Sequence, residues 1–228
     1  MAQSEIQSML DAAVHFGHKT QKWNPRMRPF IYGSRNGIHF IDLQKSLEYM
    51  EKAHEFLQRA SAEGKTVLLV CTKPQAFDLI KAAAKETSMP YVVNKWIGGL
   101  LTNFDTMKQR IRHFKKLRDE EESGEFEKYK KKEASKLRKE IIKLESALGG
   151  VREMDRLPDA IFVADVVRDS NAVHEAKKLG IPIVGICDTN ANPEEIDFPI
   201  PGNDDAIKSL TYLIEGVKGA ILKGKKSK

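Results

Sequence analysis

Acidic side chains are missing from residues 12–41 of this 228-residue chain, AAVHFGHKTQKWNPRMRPFIYGSRNGIHFI, although acids and bases are intermixed almost everywhere else. Cysteine is scarce. Cys71 and Cys187 are the two present, each inside an apolar run, which argues against a disulfide framework or a CxxC metal ribbon and predicts two small core residues. No apolar run approaches the ~20 residues that span a bilayer, so no membrane partner is expected. The opening residues, MAQSEIQSMLDAAVHFGH, contain acids and no basic stretch, so a secretory signal is not expected and the cytosol is the simplest compartment. Catalytic signatures are missing too: there is no GxGxxG after a strand, no GxSxG elbow and no HExxH helix. Residues 219–225 (GAILKGK) have Walker-like glycine spacing, but Lys226 stands where Ser or Thr must meet Mg²⁺ and no strand precedes them; a frayed basic tail is expected.

What the acid-free stretch does contain is five cations, Lys19, Lys22, Arg26, Arg28 and Arg35, interleaved with Trp23, Phe30 and Tyr32. Cations neutralise phosphates and flat rings stack on bases, which points to RNA. The same residues equally describe a solvated basic loop whose aromatics close the core. The whole chain has a formal net charge of +6, whereas residues 151–215 hold six Lys/Arg against thirteen Asp/Glu. That asymmetry predicts two faces with different partners, RNA on one and protein on the other.

Apolar, β-rich runs at residues 66–72 (TVLLVCT), 90–93, 160–166 (AIFVADV), 182–188 (PIVGICD) and 196–200 alternate with helical patterns at 43–62, 73–88, 171–179 and 205–223. This alternation predicts an α/β fold with a mostly parallel sheet. A helix is also expected over residues 4–16, and strands at 29–32 and 39–42. One block has no strand candidate. Phe104, Met107, Ile111 and Phe114, then Ala134, Leu137, Ile141, Leu144 and Leu148, step by three and four on either side of Ser123-Gly124. Two such stripes joined by a turn predict an antiparallel coiled-coil hairpin over 104–148, inserted into a discontinuous α/β domain of residues 1–103 and 149–228. Residues 105–145 hold fourteen Lys/Arg and ten Asp/Glu, so the hairpin reads as a soluble arm or as a basic reach along nucleic acid. Trp96-Ile97-Gly98-Gly99 reads as the turn leading into it.

His15 and His18 are spaced HxxH, and Asp188, Asp204 and Asp205 follow predicted strand ends, where α/β proteins place ligands. A metal held by His18 and one or two carboxylates is one reading. The other has His18 in a turn hydrogen bond and Asp204 or Asp205 capping the last helix. An enzyme or nucleotide-binding regulator built on Asp165, Asp188 and Asp204 is the alternative to an RNA-binding structural protein.

The segments VHFGHKTQKWNPRMRPFIYGSRNGIHFIDL, KWIGGLLTNFDTM, LPDAIFVADV and KKLGIPIVGICDTNANPEEIDFPIPGNDDAIKSL together resemble the bacterial small-subunit ribosomal protein "S two" family, in its order and with its spacing. Val70-Cys71-Thr72-Lys73 departs from the Gly before Thr-Lys of many relatives, and the carboxyl tail is short and basic. The resemblance implies a flavodoxin-like or Rossmann-like parallel sheet with the inserted hairpin. It implies a non-enzymatic, cytoplasmic role in the small subunit and in translation. The implied partners are 16S rRNA, other small-subunit proteins and the large mRNA-capturing protein "S one". RNA contact is then expected at Lys19, Lys22, Arg26, Arg28, Arg35, Lys95, Arg110, Arg112, Lys115 and Lys116. No cofactor is required; zinc or magnesium near the docking surface would be carried by His18, Asp188 and Asp205.

Overall fold

The computed structural model describes residues 2–226. At the amino end, helix α1 (Ala2–Asp11) leads into a small antiparallel sheet of β1 (Phe16–Lys19), β2 (Ile31–Arg35) and β3 (Ile38–Ile41), ordered β1-β3-β2. The helix expected over 4–16 therefore stops early. Ala13 turns at φ 62, and the next residues are held extended by partners far along the chain. Asn203 N–H donates to Val14 O at 3.0 Å, and His18 N–H to Thr189 Oγ1 at 2.8 Å. Gly17 permits the second contact, since a Cβ there would stand 2.5 Å from Thr189 Cγ2. Local periodicity carries no record of such long-range docking. The strand expected at 29–32 likewise starts later, because Pro25–Phe30 forms a 3-10 turn capped by the Asn24 side chain.

Helix α2 (Leu43–Ala62) matches its pattern, with Asp42 accepting from the amides of Gln44 and Lys45 at its start. Next come β4 (Val67–Val70), α3 (Phe77–Thr87) and β5 (Tyr91–Val92); α3 begins after Pro74–Ala76, a 3-10 turn, so the pattern at 73–88 shortens at its front. After the hairpin, β6 (Ala160–Val163), α6 (Ser170–Leu179), β7 (Ile183–Cys187), β8 (Phe198–Pro201) and α7 (Ile207–Lys226) complete the chain. Strands β4 to β8 are all parallel, in the order β5-β4-β6-β7-β8. Renumbered from β4 this is the flavodoxin-like order, with the direction of winding switching between β4 and β6.

Successive strand residues point to opposite faces, so each strand feeds two cores. Val67, Leu69, Phe162 and Val184 meet α1, α2, α3 and α7, whereas Leu68, Val70, Ile161 and Val163 meet α6 and the foot of the hairpin. Both cysteines are free and fully buried, as their apolar runs predict. The carboxyl end is no frayed tail: α7 continues through Lys226, and Gly224 is buried where α7 crosses α2. A Cβ at Gly224 would run into the Gln58 carbonyl, and Ser61 Oγ–H donates to Ile221 O at 2.8 Å beside it.

The hairpin consists of α4 (Phe104–Glu122) and α5 (Lys131–Leu148). Met107, Ile111 and Leu148 root it in the sheet-side core; Phe114, Leu117, Ala134 and Ile141 form its own. Phe126 in the turn closes the tip at 3 % exposure, a role no periodicity marked.

Candidate functional site

The parallel strands deliver a charged cluster to their carboxyl ends, next to the switch in winding. Lys73 follows β4, Asp165 follows β6, Asp188 and Thr189 follow β7, and Asp204 and Asp205 follow β8. The buried Lys73 Nζ lies 2.9 Å from Asp165 Oδ2, Asp204 Oδ1 and Asp205 Oδ1, and donates to the Asp204 carbonyl at 2.6 Å. Burial alone would lower its pKa, but the three carboxylates outweigh burial and raise it. Asp204 is pushed up to about 7, first by burial, then by the neighbouring Asp165 and Asp188 charges, against the pull of Lys73. Around this core, Thr72 N–H and Oγ1–H both donate to Asp169, and Arg168 Nε–H donates to Thr72 O at 3.0 Å.

β1 brings His18 over the cluster. Its Nδ1 lies 3.1 Å from Asp188 Oδ2 and its Nε2 3.6 Å from Asp205 Oδ2. The adjacent Asp188 carboxylate, opposed by partial burial and helped by Asp204 and Asp205, pushes the imidazole up to about 8. The Nδ1–Oδ2 approach is close but off the line a hydrogen bond needs, so buried Nδ1 has no aligned partner among the described residues. His18, Asp188 and Asp204 offer ligand atoms within 4.8 Å of one another. Asp205, expected from the sequence beside His18 and Asp188, sits instead on the far ring nitrogen and on Lys73. Neither Asp204 nor Asp205 caps α7: Asn203 Oδ1 accepts from the amides of Asp205 and Ala206.

The expected RNA-contacting residues fall into two groups on different elements. Lys19, Lys22, Arg26, Arg28 and Arg35 are exposed around β1, the 3-10 turn and the end of β2. Lys95 is exposed before the loop into α4, and Arg110, Arg112 and Lys116 are exposed on α4, with Lys115 half-buried. Several are already engaged. Arg26 pairs with Glu194 at 2.9 Å, Lys115 with Glu153 at 2.9 Å and Lys116 with Glu120 at 3.6 Å. The basic amino end and the acidic later portion are consequently neighbours, not opposite faces. The acids missing from 12–41 reach it as Glu194 and Asp188 from loops after β7. Of the three aromatics, Phe30 is buried edge-on to Tyr49, Trp23 leans on His39 at 5.2 Å, and Tyr32 is 83 % exposed.

Two residues central to this architecture went unmarked in the sequence, Lys73 and Glu175. Lys73 directly follows the buried run VLLVCT, and a lysine in that position is a signal for a buried partner. Glu175 on α6 accepts from Trp96 Nε1, the Gly99, Leu101 and Thr102 amides and Thr102 Oγ1, at 2.8–3.0 Å. It holds the loop that launches the hairpin, which is the role left to Gly98-Gly99 in the sequence.

No nucleophile, base and orienting group converge among the described residues, and an ammonium fills the centre of the carboxylate cluster. The fold defines a doubly wound α/β protein with an inserted helical arm. The chain belongs to the ribosomal protein S2 family, whose model matches residues 9–224. Its similarity to small ribosomal subunit protein uS2 of Coprothermobacter proteolyticus is 46 % identity over 228 residues, all of this chain and 85 % of the relative. The uS2 proteins of Mycolicibacterium paratuberculosis and Nitratiruptor sp. are 48 % and 49 % identical, covering 98 % and 96 % of this chain and 81 % and 82 % of their own. The chain's role is therefore structural and ribosomal, in translation, and not enzymatic. No helix among the described residues is long and apolar enough to cross a membrane.

Proposed function

We propose that this chain is a structural constituent of the small ribosomal subunit that binds 16S rRNA through its amino-terminal cations and its hairpin, beside other small-subunit proteins, and docks protein "S one" next to β1. The relatives' names support the subunit. The observation that carries RNA binding is the set Lys19, Lys22, Arg28 and Arg35, exposed and without an ion pair among the described residues. With Phe30 and Trp23 packed inward, these contacts are to phosphates and position the protein by RNA shape, since A-form helices hide their base edges.

An adjoining patch, which shares Arg35 at its edge, supports protein docking. Leu10 and Tyr32, 47 % and 83 % exposed, line a cleft of about 580 Å³ with His15 and Phe40, and Phe16, 40 % exposed, lies against Phe40 at 5.4 Å. A cluster of exposed large apolar side chains marks a protein interface more readily than an RNA one. Replacing Lys22, Arg26 and Arg28 together by Ala is expected to weaken binding to a 16S rRNA transcript and flatten its salt dependence, leaving capture of "S one" intact. Phe16→Ser with Tyr32→Ser should do the reverse. A triple variant with wild-type affinity and salt slope would remove the RNA assignment.

The cluster under His18 adjoins this patch and is suited to a divalent cation. An imidazole nitrogen with no aligned hydrogen bond, beside two carboxylates, favours zinc over magnesium, which prefers oxygen ligands and water. His18, Asp188 and Asp204 would hold it, and its charge would offset both the burial and the neighbouring carboxylates that push Asp204 up. Zinc added to chelated protein at 100 times its Kd should stabilise the fold by about 2.7 kcal/mol. His18→Ala should lose that gain in thermal melts; equal shifts in both proteins would count against the site.

A further inference from the structure

The two arms of the hairpin distribute charge differently. On α4 the outward row Asp105, Gln109, Arg112, Lys116, Asp119 steps by four and three and carries both signs. On α5 the corresponding outward row is Lys132, Lys136, Lys139 and Lys143, opposite the buried Ala134, Ile141 and Leu148. All four lysines are exposed. None has an ion pair among the described residues, although the hairpin is crossed by them. Of the three acids of α5, Glu140 and Glu145 are turned toward α4, to His113 at 3.1 Å and to Arg118 at 2.8 Å, and Glu133 turns back to accept from the Lys130 amide at the helix start. Arg138, off this row, reaches Glu121 at 3.4 Å. The lysine row is thus left uncompensated by the fold itself.

Like charges three and four residues apart on a helix destabilise it by a few tenths of a kcal/mol per pair, roughly 0.2–0.5. A helix selected only to be soluble would place glutamates among these lysines, as the rest of the hairpin does. Four cations in line over about 16 Å of helix match a line of anions and not a single one. No aromatic side chain lies in the row, so base stacking plays no part. At the foot of this face Asn94, the neighbour of the exposed Lys95, donates to Ser146 O at 2.6 Å, so the row runs on toward a cation already assigned to RNA.

We propose that the outer face of α5, formed by Lys132, Lys136, Lys139 and Lys143, is the surface by which the hairpin lies along the phosphate backbone of duplex RNA. This rests on the RNA-binding reading above and moves the hairpin's contact from α4, where Lys115 and Lys116 are ion-paired, to α5.

The test measures binding of the full chain to a 16S rRNA transcript across a KCl series. The K132Q/K136Q/K139Q/K143Q variant keeps helix propensity, because Lys and Gln are nearly equal formers. Unchanged helical circular dichroism would verify its fold. Each lost phosphate contact removes roughly 0.7–0.9 from the slope of log affinity on log salt. Raising salt from 50 to 200 mM should therefore weaken the wild type by about 100-fold more than it weakens the quadruple variant. R112Q/K116Q on α4 should retain nearly the wild-type slope. A quadruple variant with wild-type affinity and slope, alongside a weakened Lys22/Arg26/Arg28 variant, would overturn this face and leave RNA binding standing. Wild-type chain without salt-dependent affinity for the transcript would overturn both. Retained RNA affinity with lost binding to polyglutamate would reassign the face to an acidic protein.

Discussion

Replacing Lys73 by Met should cost the fold about 3–5 kcal/mol at pH 7, the range for removing one partner of a buried ion pair. Lys73, Asp165 and Asp204 have side chains 9 %, 8 % and 3 % exposed, so the carboxylates left behind cannot turn to water. They must take up protons or break the packing between β4, β6 and β8. The pH dependence gives the sign. Asp204 has a folded pKa raised to about 7, above its unfolded value, so its contribution is fully present below the unfolded pKa near ~3.9 and is lost as pH rises through about 7. Without Lys73 the opposing pull disappears and that pKa climbs further. The deficit of the variant should therefore be small in acid and grow as pH rises through neutrality. Urea unfolding at several pH values reads this directly. Asp204→Asn in the same chain should recover a large part of the loss, since it removes one of the stranded charges. A Lys73→Met protein within 1 kcal/mol of wild type at pH 7, or one whose deficit does not change with pH, would show that the ammonium does not hold the cluster.

Glu175→Ala should cost about 3 kcal/mol: one half-buried carboxylate accepts five donors at net values near ~1 kcal/mol each, and the two Thr102 donors are exposed enough for water to replace the carboxylate there. Partial burial acts to raise the Glu175 pKa; the Thr102 amide, the Trp96 indole and the Gly99 and Leu101 amides more than reverse this and hold it below the usual carboxylate range. A depressed carboxyl stabilises above its unfolded pKa and loses that contribution as pH falls through the folded one. The difference between wild type and Glu175→Ala should accordingly be largest at neutral pH and shrink below ~pH 4. For a chain of this length the melting temperature should fall by roughly 6–12 °C at neutral pH. Amide exchange at Gly99, Leu101 and Thr102 should accelerate well before the rest of the sheet. Uniform exchange across the domain, or a melting temperature within a degree of wild type, would mean the loop is held by packing of Trp96, Leu100 and Leu101 alone. Because this loop launches α4, loosening it also loosens the direction of the hairpin.

The hydrophobic patterns settled much of the fold. Seven-residue runs such as TVLLVCT and AIFVADV are too short and too apolar for surface helices, and their alternation with amphipathic segments leaves a parallel sheet as the natural arrangement. The three- and four-residue steps from Phe104 to Leu148 likewise prescribe two facing helices. Both signals are local, repeated over several residues, and carry their geometry within the chain. The candidate site was legible only in its parts. His18, Asp188 and Asp205 were marked by residue type, but Lys73 and Glu175, which organise the charged cluster and the loop into the hairpin, were not.

The amino acids by themselves thus determined the class of fold, the presence of the arm, the buried cysteines and the excess of cations. Tertiary structure alone decided which charges remain available. Ion pairs form between residues more than a hundred positions apart, as between Arg26 and Glu194 or Lys73 and Asp204. A stretch without acids therefore became partly neutralised, while a row of α5 lysines in a segment rich in acids stayed bare. Coulomb energy depends on distance in space, and sequence separation carries almost none of that information.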